Sequence, residues 1–463
     1  MTALNPQPRA AGGRSRIVIC GGGVGAIEAL LGLRSLLGLA VQIDLIAPNH
    51  RFVYEPLAVA EPFGLARTRR FEIASVAAEY GARLHVASLE AVEPERRWIA
   101  IGGDTRLAYD RLIVAVGARR CAWLPGALAF SGAADVAPFR ELLAALVRGE
   151  LKRLAFAVPP GPGWALPTYE LALLTASLIA ERHMTEIELV VATPESEPMA
   201  TFGPAASRAL RDVLADRGIR LHAGHVAQSV QAGSLLLASG EVLGVDQVVA
   251  LPRLEGPRVT GLPADELGFI EIDDHAQVVG LADVYAAGDA TAFPVKQGGI
   301  TTQHSDAAVE AIAASLHAGS APSALAPMLR GMLLTGVAPT YLRAALIDQR
   351  PSFAQLAADP LWWPPTKIAG RYLGPYLAQT APDVVPTPAA GSDPGGEDPR
   401  DPLASHEEAR ELALTFARAD ANGQDYQSAL RWLEVVEALD GRLPPGYPEK
   451  RAQWRRQVAL TSP

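Results

Sequence analysis

The chain has 463 residues, 49% hydrophobic and 20% charged, the balance of a globular protein long enough for two domains and an appendage. Its net charge of −9 and isoelectric point near 5.6 argue against a nucleic-acid partner. No apolar run reaches the ~18 residues of a spanning helix, the polar stretch from Met1 to Arg16 shows no secretory signal, and two cysteines suit a reducing compartment. A cytoplasmic location is the expectation.

The first predicted element is a short apolar strand, Arg16 to Cys20, running into Gly21-Gly22-Gly23-Val24-Gly25-Ala26 and then a helix to about Leu39. Strand, tight glycine turn and helix are the setting of a dinucleotide fingerprint. Gly21 and Gly23 let backbone approach a pyrophosphate, and Gly25 and Ala26 let helix and strand pack closely. The second strand, Val41 to Ala47, ends on Ala47 where an acidic ribose ligand is usual; Asp44 lies inside the strand and is not taken as that ligand. A β-rich run from Tyr109 ends in the turn Ala115-Val116-Gly117.

A second α/β unit follows. Strand Arg153–Val158 leads to Pro159-Pro160-Gly161-Pro162-Gly163-Trp164 and a helix from about Leu166 to Glu181. Strand Ile187–Ala192, helix Ala205–Asp216 and β-rich segments to about Leu251 complete it. Gly161 and Gly163 sit where a nucleotide loop would, but the prolines lack the N–H groups a pyrophosphate needs and Trp164 is bulky where close approach is required. Further on, Val284 to Thr291 reads as a strand ending in Gly288-Asp289, followed by Lys296 and a helix over about Thr301–Leu316. The glycine permits close approach, and the Asp289 carboxylate suits sugar-type hydroxyls.

The three segments at Gly21, Gly117 and Gly288, in this order and spacing, resemble the flavoproteins with two dinucleotide-binding domains, over roughly residues 14–380. The resemblance implies an α/β fold with two Rossmann-like domains, an FAD domain interrupted by an NAD(P)-type domain, and FAD as cofactor. It implies that Gly21, Gly23, Gly25 and Ala26 hold the FAD pyrophosphate, that Ala115 and Gly117 close the domain, and that Gly288 and Asp289 hold the ribityl chain. Thr301 and Gln303 then lie in a helix start aimed at the flavin ring. The expected divisions are 14–140 and 256–335 for the FAD domain, 141–255 for the NAD(P)-type domain, 336–380 for an interface segment, 381–402 for a Pro/Gly/Asp-rich linker and 403–463 for a helical tail resembling a tetratricopeptide repeat.

Pro167-Thr168-Tyr169-Glu170 resembles the matching turn of sulfide:quinone oxidoreductases, within a branch that includes type II NADH dehydrogenases. Those sulfide enzymes use paired cysteines. Here Trp164 stands at the first position and no cysteine follows Cys121, so cysteine-relayed chemistry is disfavoured. Glu170 is the candidate proton relay, its alternative being a charge at a helix start. Lys296 is the candidate cation beside the flavin, and His304 a weaker proton donor that otherwise caps or packs. No metal site is expected.

The leading expectation is electron transfer from a small donor through FAD to a quinone-like or protein acceptor, without redox cysteines. NAD(P)H oxidation is the second reading, and a non-catalytic flavin-binding or redox-sensing module the third. Trp362-Trp363, with nearby lysine and tyrosine, reads as either a surface for peripheral contact with the inner face of a membrane or a partner, or a buried seam.

Overall fold

The computed structural model describes residues 14–103, 105–231, 233–316, 322–347 and 350–380, scattered positions between 410 and 437, and 442–461. The expected linker 381–402 lies outside these residues, as do most positions of the expected helices over 406–440; the last expected helix is Tyr447–Thr461.

Arg16–Cys20 and Gln42–Ala47 are almost uninterrupted apolar runs, as strands covered on both faces require. They lie in a five-stranded parallel sheet whose order is Val284–Ala286, Arg111–Val114, Arg16–Cys20, Gln42–Ala47, Arg83–Val86. The chain first leaves Arg16–Cys20 in one direction and later returns on its other side. That reversal is a topological switch, and ligands of open α/β sheets bind at the carboxyl ends of strands beside it. Cys20, Ala115 and Gly288 all come to that edge.

A second parallel sheet repeats the scheme, with Arg153–Ala157 between Glu188–Thr193 and Gln247–Ala250. Its own switch therefore opens at Val158 and Leu251. Two short antiparallel strands, Arg119–Cys121 and Arg253–Glu255, carry the chain out to this sheet and back. The fold is α/β with two Rossmann-like units.

The segment after the first sheet adds an antiparallel sheet of Met328–Leu333, Thr340–Ile347 and Arg350–Ala357, which the sequence reading left unassigned. The helix expected from Thr301 begins at Gly298, because the Gln297 side chain accepts the Ile300 N–H (3.1 Å) and so caps an earlier turn. Of the two readings of Trp362-Trp363, the buried seam describes Trp362: it is 1% exposed, edge-on to Tyr341, with its indole N–H given to the Thr366 carbonyl. A buried, satisfied indole belongs to the core and contributes nothing to a docking surface.

Candidate functional site

The glycine turn after Arg16–Cys20 is built for close packing. A Cβ at Gly21, whose φ is +143°, would collide with the Ala115 carbonyl oxygen. One at Gly25 would press on Thr301 and Ser305 (3.0 and 3.2 Å) of the Gly298–Leu316 helix, and one at Gly288 would lie 2.7 Å from Thr301 Cγ2. These contacts draw the first helix, Val24–Leu37, against the Gly298–Leu316 helix. Gly23 differs, with nothing within 4 Å of where its Cβ would stand. It is the N-cap of Val24–Leu37, and no side chain caps that helix. An open glycine before uncapped amides is a cradle for a phosphate group. Gly117, at φ +73°, also faces open space.

Asp289 follows Gly288 in a single 3-10 turn. Its carboxylate accepts no hydrogen bond from the described residues, and burial raises its pKa against the pull of Lys296 and Arg120. A half-buried, cavity-lining carboxylate without a donor fits a polyol chain that brings hydroxyls to it. The amides of Gly298 and Gly299, at the next helix start, likewise donate to no described residue. The residues present thus fit a dinucleotide with a ribityl segment. The acidic ribose position is Ala47, and Asp44 is held by Arg16 (3.3 Å) and His85 (2.8 Å) inside the sheet.

Beside Asp289 opens a cavity of about 750 Å³, between the carboxyl ends of the second sheet and the Asp289–Gly298 segment. Val158, Leu251, the proline-rich loop, Lys296, Lys367 and Ile368 line it. The loop is latched across it, Gly163 N–H donating to the Pro294 carbonyl (3.0 Å) and Lys296 N–H to the Gly163 carbonyl (3.2 Å). Pro159, Pro160 and Pro162 have no N–H to offer, and that of Gly163 is spent.

Lys296 lines this cavity and donates to the carbonyls of Asp289 (3.3 Å) and Thr291, with its ammonium 3.7 Å from the Phe269 ring centroid. Burial pushes its pKa down to about 8. Glu170 is fully buried and does not line the cavity. Its two oxygens accept from Lys367 Nζ at 2.6 and 2.7 Å, and one also from the Leu334 N–H. Lys367 therefore stands between Glu170 and the cavity. Its sequence neighbours carry no sign of a partner 197 positions away. His304 is buried and its Nδ1 accepts from the Gly288 N–H, with burial pushing its pKa down to about 3. It is neutral and holds the Gly288 turn. Gln303 spends its amide on Gly299, on Met328 N–H and on the Met328 carbonyl, stitching helix to strand.

Two further residues escaped the sequence reading. Glu28, one turn into the first helix, is buried and accepts the N–H groups of Tyr372 and Leu373 (2.9 and 2.6 Å), which anchors the segment bearing Lys367. Glu195 follows the second strand of the second sheet, lines the cavity, and accepts from Tyr169 Oη (2.6 Å). The signal for it is in the sequence: strand Glu188–Thr193 is followed at once by Pro194-Glu195, an acid just past a second strand, where the first unit has Ala47.

Residues 15–314, more than half of the chain, match the profile of the pyridine nucleotide-disulphide oxidoreductases. The chain belongs to that family. It is an FAD-dependent oxidoreductase. Among curated proteins it is 26% identical over 298 residues to an NADH dehydrogenase-like protein of Mycobacterium tuberculosis, covering 60% of this chain and 73% of that protein. Among solved structures, the sulfide:quinone oxidoreductase of Aquifex aeolicus superposes with a TM-score of 0.69 at 17% identity, over 74% of this chain and 87% of that one. A ferredoxin reductase of Rhodopseudomonas palustris gives 0.56 at 18% identity, over 72% and 83%. At these identities the structures attest the fold of this family member and no more. Both of its cysteines are free, and neither Cys20, in the first strand, nor Cys121 lines the cavity.

Proposed function

We propose that this oxidoreductase passes electrons from a small donor through its flavin to a quinone-like acceptor, without redox-active cysteines. FAD, when bound, supplies the two-electron chemistry. The observation that carries the proposal is the cavity wall at 158–167, where Pro159, Pro160 and Pro162 have no N–H, that of Gly163 is given to Pro294, and proline and tryptophan rings line the cavity. Gly21, Gly23, Gly25 and Ala26 hold the pyrophosphate at the helix start, Ala115 and Gly117 shape the turn beside it, and Gly288 and Asp289 take the ribityl chain. Thr301 holds the helix start close to Gly288. Lys296 places a positive charge beside the segment that faces the ring, favouring negative charge on it. Lys367 holds a proton at Nζ on the cavity wall, and Glu170 behind it keeps that ammonium in place and acts as the next proton carrier.

A second reading, NAD(P)H oxidation, is supported by Gly161 at φ +97° and Gly163, both facing open space, and by Glu195 beyond the second strand. It also agrees with the name of the mycobacterial relative. An anaerobic titration separates the two: visible flavin absorbance is followed while NADH, NADPH, sulfide and a reduced quinone are added in turn. The proposal expects bleaching by the reduced quinone, the acceptor reaction run backwards. Rapid bleaching by NADH would overturn it in favour of the second reading. Peripheral attachment to a membrane or a protein partner belongs to the same proposal; among the described residues no helix is long and apolar enough to cross a bilayer.

A further inference from the structure

Trp164 follows Gly163 at the end of the proline-rich loop. It is partly exposed and lines the cavity. Its indole is held from behind by Phe202, fully buried, with ring centroids 5.8 Å apart and planes at 63°. Phe202 cannot withdraw, because it packs on the backbone of Gly331 so closely that a Cβ there would lie 2.9 Å from its ring. The preceding residue is fixed as well. Gly163 is bridged through both its N–H and its carbonyl to the Pro294–Lys296 backbone. Ring support and backbone bridge together give an indole in one orientation, tied to the same segment that carries Asp289 and Lys296.

The chemistry of the surrounding wall says what such an indole recognises. Pro159, Pro162, Pro167 and Pro194 line the cavity around it and donate nothing. The Glu195 carboxylate is engaged by Tyr169 Oη (2.6 Å) and Thr193 Oγ1 (3.2 Å). The proline rings and the indole give this part of the lining ring faces to offer a ligand. Lys367 lines the same cavity; an ammonium has three N–H donors, and the contacts to Glu170 use two. One donor is left for an acceptor atom in the cavity. A planar ring bearing carbonyl oxygens offers a face to the indole and an acceptor to Lys367, the two kinds of contact this lining supplies.

We propose that Trp164 is the specificity-determining wall of the cavity, stacking on the ring of a carbonyl-bearing aromatic such as a naphthoquinone. The inference rests on the quinone-like reading above and adds the residue that selects the ring. A preorganised aromatic surface gains affinity because little motion is frozen on binding, and stacking adds to the area buried.

The test uses the oxidised holoprotein and 2-methyl-1,4-naphthoquinone, with binding read by equilibrium dialysis and turnover by reoxidation of the photoreduced flavin. Trp164→Leu is expected to weaken binding and raise KM roughly tenfold, with kcat changed less than about twofold; Trp164→Phe retains affinity within about threefold. The visible flavin spectrum and thermal midpoint report folding of each variant. Should the leucine substitution cost the flavin, Trp164→Met is the non-aromatic comparison. A non-aromatic variant that binds the naphthoquinone as tightly as the native protein overturns the role of Trp164 and leaves the acceptor reading intact. Native protein that binds in a Trp164-dependent way but is not reoxidised overturns the acceptor reading and supports the ring-binding wall. Native protein that binds none overturns both.

Discussion

Lys367 Nζ lies 2.6 and 2.7 Å from the two carboxylate oxygens of Glu170, a bidentate pair with both side chains almost wholly removed from water. Burial raises the Glu170 pKa while the ammonium opposes it. The pair bolts the helix Leu166–Glu181 to the 366–373 segment, and only its lysine meets the cavity.

Breaking such a pair leaves one buried charge unanswered, which typically costs 3–5 kcal/mol. Glu170→Ala and Lys367→Ala are each expected to destabilise the holoprotein by about that much in urea titrations. The paired replacement Glu170→Leu with Lys367→Met is expected to cost clearly less than the sum. Additive single and double effects would show that the two charges do not depend on each other.

The two fingerprint glycines predict opposite failures. Gly21→Ala forces a side chain into the Ala115 carbonyl at a strained φ, so the protein is expected to be lost to aggregation or to purify without flavin. Gly23→Ala meets open space in the protein itself. It is expected to leave apoprotein stability within about 1 kcal/mol while weakening FAD binding at least tenfold, read from the ratio of visible to ultraviolet absorbance after dialysis. Normal flavin retention in Gly23→Ala would remove the phosphate cradle from that turn.

Lys296 titrates near 8 when folded, below its ordinary 10.5, because burial disfavours its charge. Between these values the unfolded chain binds more protons than the native one, so this residue's contribution to stability rises with pH from about 8 to 10.5. The stability of the native protein minus that of Lys296→Met is expected to climb across that range and stay flat from pH 6 to 7. Its effect on the flavin runs the other way: the cation fades as pH passes 8. A midpoint potential difference between native and variant that persists undiminished at pH 10 would exclude the lysine charge as its cause.

Glu28 predicts the complementary slope. Burial pushes its pKa up to about 7, and it shares a hydrogen bond with Asp306, itself raised by the same burial and by the charge of Glu28. The native state holds a proton that the unfolded chain gives up above about 4.5, so stability is lost as pH rises toward 7. Glu28→Gln is expected to flatten that loss, on the order of 2–3 kcal/mol. Below pH 4.5 the variant is expected to be no more stable than the native protein, since glutamine answers the Tyr372 and Leu373 amides with one oxygen instead of two. Parallel pH profiles for the two proteins would place the titration elsewhere.

What the sequence by itself determined is local. Gly21 to Ala26 after an apolar strand, the Gly117 turn, and Gly288-Asp289 before a helix are short-range patterns whose chemistry lies in neighbouring residues. They suffice for the α/β class and for the flavin. The absence of a cysteine after Cys121 is local in the same sense, and so are the prolines at 159, 160 and 162. The tertiary structure decided what depends on distant partners. Glu170 and Lys367 are 197 positions apart, and Glu28 and Tyr372 344 apart, so no spacing rule could join them. Only packing could settle that Trp362 is core while Trp164 faces a cavity, because tryptophan carries the same apolar mass in either place and burial depends on what the rest of the chain brings against it.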